Sequence, residues 1–133
     1  MKYLLDTDIC IYIINKRPAK VIERLRKFEP GNLGISVITL SELQKGVSKS
    51  LHKKKNQDVL DHFISVFTVL SYEPSDAKAY GEIVANLEEK GQIIGGNDLF
   101  IAAHALSRKL TLVTNNEKEF NRVQGLKIEN WAR

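Results

Sequence analysis

Asp6 interrupts the apolar run Tyr3-Leu4-Leu5 and is followed at once by Thr7-Asp8. An Asp in that place either caps the next helix, a position Asp favours, or is held at a strand end for chemistry. If Thr7 or Asp8 supplies the cap, Asp6 is left free. Glu42 lies on the flank of a predicted helix whose Leu40, Leu43 and Val47 face the core. Taken alone it reads as a solvated helix Glu and gains weight only in company. Asp98 heads a run with hardly any polar face, sharing a helical row with Ile101, Ala102 and Ala105. A charge there needs the helix dipole, a cation or both. Gly95-Gly96 just ahead would let a backbone or a substrate come close.

Three carboxylates from remote parts of a chain suit Mg²⁺, a hard cation that takes oxygen ligands and leaves room for water and phosphate. Such a metal generates hydroxide and neutralises charge during phosphodiester hydrolysis. Without it the acids would raise one another's pKa values and repel a polyanion.

The elements that must position these residues alternate. Strands are predicted at Lys2–Leu5, Leu33–Val37, Thr68–Ser71 and Leu110–Thr114, with a short last one within Leu126–Trp131. Helices are predicted over Ile9–Asn15, Pro18–Phe28, Thr39–Ser48, His52–Phe67, Pro74–Lys90 and Asp98–Lys109. Alternation implies an α/β fold with a central, mainly parallel sheet of four or five strands flanked by helices on both faces. Ligand sites in such sheets lie beyond the carboxyl ends of the strands. Asp6, then Thr39 and Glu42, then Thr114-Asn115-Asn116 stand just after predicted strands.

The 133 residues contain no repeat, low-complexity tract or linker, so one domain over 1–133 is expected. No apolar run approaches the roughly 20 residues a bilayer requires, and the opening residues lack a secretory pattern. With Cys10 as the one cysteine, no internal disulfide can form. These features point to the cytoplasm. A net charge of +4 and a pI near 9.2 favour an anionic partner. The basic stretches Lys16–Lys27 and Lys45–Lys55 read equally well as solvated helix faces.

Four segments carry a resemblance in order and spacing: Leu4-Leu5-Asp6-Thr7-Asp8-Ile9-Cys10, Ser36–Leu43, Asn97–Ala105 and Leu112–Phe120. Together they resemble the PIN domain, over essentially the whole chain. Within that superfamily the chain is similar to the VapC toxins of type II toxin–antitoxin pairs. The resemblance implies a metal-dependent endoribonuclease using Mg²⁺, with Mn²⁺ as the alternative. It also implies a homodimer and a small VapB-type antitoxin as partner. It maps three acidic ligands onto Asp6, Glu42 and Asp98. Where PIN domains usually show a fourth Asp, this chain has Asn115-Asn116-Glu117-Lys118-Glu119. Glu119 is the expected fourth carboxylate, with Thr7, Thr114 and Asn116 as supporting or substrate-facing groups. Several similar toxins cut initiator tRNA in its anticodon loop, which makes tRNA the leading expected substrate.

His104 sits inside the apolar helix and is expected to be packed and hydrogen-bonded; His52 and His62 lack metal-ligand spacing. Cys10 is expected in the core. Tyr80, Ile83, Val84 and Leu87 are expected in the core or a dimer interface. Asp58, Asp61, Asp76, Glu82, Glu88 and Glu89 are expected on helix surfaces or caps. Two rival readings exist. Asp6-Thr7-Asp8 also fits the opening of a haloacid-dehalogenase-type phosphatase, although no downstream acidic pair accompanies it. A catalytically weak RNA- or partner-binding domain would also account for the basic stretches.

Overall fold

The computed structural model describes residues 1–133. Its centre is a five-stranded sheet in the order β3-β2-β1-β4-β5, parallel throughout. The strands are short: β1 (Tyr3–Leu5), β2 (Leu33–Ser36), β3 (Thr68–Leu70), β4 (Thr111–Val113) and β5 (Ile128–Glu129). Seven helices connect and cover them: α1 (Thr7–Asn15), α2 (Ala19–Leu25), α3 (Val37–Ser48), α4 (Lys53–Ser65), α5 (Pro74–Glu89), α6 (Gly96–Ser107) and α7 (Glu117–Phe120). No helix is long and apolar enough to cross a membrane.

Strand alternation divides the core in two. Tyr3, Leu5, Leu33, Ile35 and Val113 point to one face, where Ile9, Val21, Leu43, Leu60 and Phe63 cover them. Leu4 and Leu112 point to the other, against Ile83, Leu87, Ile101, Ala102, Ala105 and Phe120. Gly34 lets the Met1 and Leu70 side chains pack closely on this second face. A Cβ there would lie 2.8 Å from Met1 Sδ and 3.3 Å from Leu70 Cδ1. The Tyr80–Leu87 stripe therefore lies in the core at Ile83 and Leu87, with Tyr80 and Val84 packed at its edge.

Several boundaries differ from the sequence expectation, each for a local reason. The basic helix stops at Leu25 rather than Phe28, because Phe28 turns in to stack on buried Trp131, with ring centroids 5.4 Å apart. Burying such a ring is worth about 2–3 kcal/mol, more than one extra helical turn at a solvated end. The second strand loses Val37, since the Ser36 hydroxyl accepts a hydrogen bond from the Ile38 N–H and starts α3 two residues early. The apolar helix likewise begins at Gly96, not Asp98, making Asp98 its third residue. At Gly91, φ is +66°, the left-handed geometry that follows a helix end.

Candidate active site

Strand order reverses at β1, whose two neighbours are β2 and β4. At such a switch point the connections leave to opposite sides and open a crevice beyond the strand ends. Asp6 follows β1 there, Thr114 follows β4, and α3 and α6 bring Glu42 and Asp98 toward the same end.

Asp6 is buried, with 4% of its surface exposed. Its main chain continues the ladder by donating to Val113 O at 2.9 Å. One carboxylate oxygen accepts from the Thr7 N–H at 2.8 Å and the other from the Thr114 hydroxyl at 2.7 Å. Asp6 is thus the N-cap of α1, so of the two placements the sequence left open the cap is taken by Asp6 itself and not by Thr7 or Asp8. Capping and convergence coexist, because the cap uses one oxygen and the other faces β4. Burial, then repulsion from Asp8, lift its carboxyl to about 7, with Asp98 adding a smaller push. The two hydrogen bonds oppose this without overcoming it.

Asp98 accepts a long contact of 3.4 Å from Asn116 Nδ2, which also donates to Glu119 Oε2 at 3.2 Å. Burial raises the Asp98 carboxyl to about 6. The neighbouring Glu119 carboxyl, then Glu42 and Asp8, push in the same direction. Glu42 Oε1 accepts from the Thr7 hydroxyl at 2.7 Å, and Thr7 Oγ1 lies 3.1 Å from buried Thr39 Oγ1. Asp8, expected as a possible cap or as the second Asp of the phosphatase reading, belongs to the same group. Its carboxylate accepts from Ile9 N and Asn115 N, and burial raises its pKa as well. Its place two residues beyond Asp6 was the available signal.

The structure therefore brings Asp6, Glu42, Asp98 and Glu119 to one end of the sheet, with Thr7, Thr114 and Asn116 bonded among them and Asp8 alongside. The molecule's four lysine and arginine ion pairs involve none of these acids. As the side chains lie, no three His, Cys, Asp or Glu residues are grouped closely enough to hold a metal ion. Asp6, Asp8 and Asp98, whose pKa values are raised and which have no cationic side chain bonded to them, suit a hard divalent ion, whose charge would lower those values. Gly95 and Gly96 make no close approach within the chain. A Cβ at Gly95 would stand an ordinary 3.6 Å from Asp98 Oδ2, and one at Gly96 would meet open space.

Outside this group, His104 is fully buried, as expected. Its Nε2 lies 3.1 Å from the Ser71 carbonyl, which can only accept, so Nε2 carries the proton. Nδ1 then accepts from the Ser36 hydroxyl at 2.9 Å. Desolvation lowers its pKa, keeping the ring neutral. Asp76 departs from its expected surface position. It does cap α5 by accepting from Glu73 N at 2.8 Å, but it is fully buried and bonded to Arg108 and Ser107. Burial pushes its carboxyl up, yet the Arg108 and Ser107 hydrogen bonds win and hold it at about 2. Cys10 is buried.

Residues 3–126 match the PIN domain. The chain is 48% identical to ribonuclease VapC2 of Rickettsia felis, with 98% of each chain covered. It is 43% identical to the tRNA(fMet)-specific endonuclease VapC of Shigella flexneri, with 99% of each covered. The crystal structure of DNA-bound VapBC from Salmonella typhimurium aligns at a TM-score of 0.93 and 43% identity, covering 98% of both chains. These likenesses set aside the phosphatase reading of Asp6-Thr7-Asp8. The chain belongs to the PIN-domain family and, within it, to the VapC ribonucleases.

Proposed function

We propose that this chain is the toxin of a VapBC-type pair and hydrolyses RNA phosphodiester bonds with Mg²⁺ or Mn²⁺ held by Asp6, Glu42, Asp98 and Glu119. Its substrate is tRNA, with the anticodon loop of initiator tRNA favoured. It works in the cytoplasm as a homodimer, held in check by a small VapB-type antitoxin. The observation that carries this reading is a group of repelling acids at the sheet's switch point, Asp6 buried and the others half-buried, with Asp6 raised to about 7 and Asp98 to about 6. Support for the substrate and partner comes from the Shigella relative's name and from the VapBC complexes among its structural neighbours.

A divalent ion, when bound, supplies Lewis acidity toward phosphate oxygen and water. The chain's own residues do the rest. Thr114 and the Thr7 amide hold both oxygens of Asp6, so its carboxylate cannot swing away. Thr7 has one hydroxyl proton; directed at Glu42, it leaves the Thr7 oxygen to accept from Thr39, which fixes both side chains. Asn116 donates to both Asp98 and Glu119, offsetting part of their repulsion. RNA recognition in a loop relies on splayed bases and shape, and the exposed lysines at 45, 49 and 53–55 can meet its phosphates.

The test is incubation of purified protein with initiator and elongator tRNAs, with and without chelator, followed by mapping of new ends. One metal-dependent cut in the initiator anticodon loop is expected. Equal cutting of all tRNAs would overturn the substrate, and RNA left intact in metal-replete buffer would overturn the nuclease reading.

A further inference from the structure

We infer that Asp8 is a positioning residue: its carboxylate latches the loop between β4 and α7 across the mouth of the acidic group, and thereby sets where Asn116 presents its amide. The loop tip, Thr114-Asn115-Asn116, has three main-chain donors. The Thr114 N–H goes to Glu129 O on β5, and the Asn116 N–H goes back to the loop's own Thr114 hydroxyl at 2.9 Å. Only the Asn115 N–H crosses to the segment after β1, where it meets Asp8 Oδ2 at 3.0 Å, 107 positions away. The other oxygen, Oδ1, accepts from the Ile9 N–H at 2.7 Å in the first turn of α1. The two bonds clamp the carboxylate between two main-chain segments, a geometry that fixes the loop more firmly than one rotatable side chain would. A second strut runs beside it, from Asn115 Nδ2 to the Tyr12 hydroxyl at 3.0 Å.

A carboxylate is suited to this work because both oxygens accept. An Asn at position 8 offers one acceptor to two main-chain donors, so one is left unmet. The amide then turns to solvent, and local opening at Asn115 should rise about tenfold. With that bond gone the loop is held at Thr114 and by the Asn115 side chain alone, Asn116 is less well fixed against Asp98 and Glu119, and catalysis suffers through misplacement. The catalytic part rests on the function proposed above; the latch itself does not.

The experiment compares the full-length parent with Asp8→Ala, Asp8→Asn, Asp6→Ala and Asn115→Ala. Amide hydrogen exchange is read by NMR, Mn²⁺ binding by calorimetry, and RNA cleavage as separate kcat and KM. Asp8→Ala is expected to speed Asn115 amide exchange at least tenfold while leaving the Thr114 amide slow. It should keep Mn²⁺ affinity within about threefold and lower kcat about tenfold at constant KM. Asp8→Asn should fall between it and the parent, and serves alone if Asp8→Ala does not fold. Asn115→Ala, which keeps its N–H, should leave exchange at that amide slow. An Asn115 amide as protected in both Asp8 variants as in the parent would overturn the latch. So would loss of Mn²⁺ binding as complete as in Asp6→Ala, which would make Asp8 a ligand. A parent that cuts no RNA would sink the proposed function, while the exchange data would still decide the latch.

Discussion

The Thr7 hydroxyl donates to Glu42 Oε1 at 2.7 Å, joining the turn after β1 to the helix after β2. That bond turns Glu42 from a solvated helix residue into part of the acidic group, and it can be removed almost without changing shape. Thr7→Val is expected to cost about 1–2 kcal/mol, lowering Tm by roughly 4–8 °C in a chain of this size. It should lower kcat on RNA about tenfold with KM nearly unchanged, and Thr7→Ser should restore most of both. Wild-type turnover in Thr7→Val would show that Glu42 needs no orienting partner.

The raised carboxyl of Asp6 makes a signed prediction about pH. The folded state holds this proton up to about 7, whereas an unfolded Asp releases it near 3.8. The stability it contributes is full below pH 4 and is lost as pH rises through 7. The span of about three pH units corresponds to at most about 4 kcal/mol. In chelator, Tm should therefore fall by on the order of 10 °C between pH 5 and pH 8. Buried neutral His104 works in the opposite direction over part of that range, so Asp6→Asn is the control and should flatten the fall. Mn²⁺ should flatten it too. A parent Tm that rises steadily from pH 5 to pH 8 in chelator would contradict this arrangement.

Asp98→Asn separates catalysis from folding. Cleavage should drop at least a hundredfold, the scale of losing a charged group from an electrostatic site. In chelator at pH 8 the variant should melt no lower than the parent, and by a few degrees higher, because one repelling charge is gone. The gain should be smaller than for Asp6→Asn, since Asp98 is only half-buried. Retained cleavage would remove Asp98 from the reaction, and a clear loss of Tm in chelator would argue against repulsion there.

Arg108 carries a structural load away from the site. Its guanidinium Nη2 lies 2.9 Å from the carboxylate of fully buried Asp76. Arg108→Ala leaves that charge buried without its cation, which costs about 3–5 kcal/mol and so roughly 10–18 °C in Tm. Divalent-ion affinity should stay within about threefold, because Asp76 is bonded to Ser107 and Arg108 rather than to the acidic group. The Asp76 carboxyl, held at about 2, contributes stability present above pH 4 and lost as pH falls toward 2. The parent should accordingly lose part of its advantage over Arg108→Ala in that acidic window. A difference in Tm that does not narrow there would mean the pair contributes little as ions.

The order of elements was legible from periodicity alone, because short apolar runs and amphipathic stretches alternate from Tyr3 to Val113. The parallel sheet followed, and with it the end at which polar residues would gather. Asp98 stood out because a charge heads an otherwise apolar helix, and Cys10 and His104 sat in patterns that only a core explains. Local reading reached this far because burial of one face is written into each segment by itself.

Other features depend on contacts between segments far apart in the chain. Nothing near Phe28 announces Trp131, so the helix there looks longer than it is. Nothing near Asp76 announces Arg108, so a buried, ion-paired acid looks like a surface cap. Asp6 could be read as a cap or as a site residue, and the fold makes it both by giving one oxygen to Thr7 and the other to Thr114. Asp8 gained its place only when β4 set Asn115 beside it. Hydrogen bonds and carboxylate repulsion act over a few ångströms of space, and a sequence records order rather than that distance.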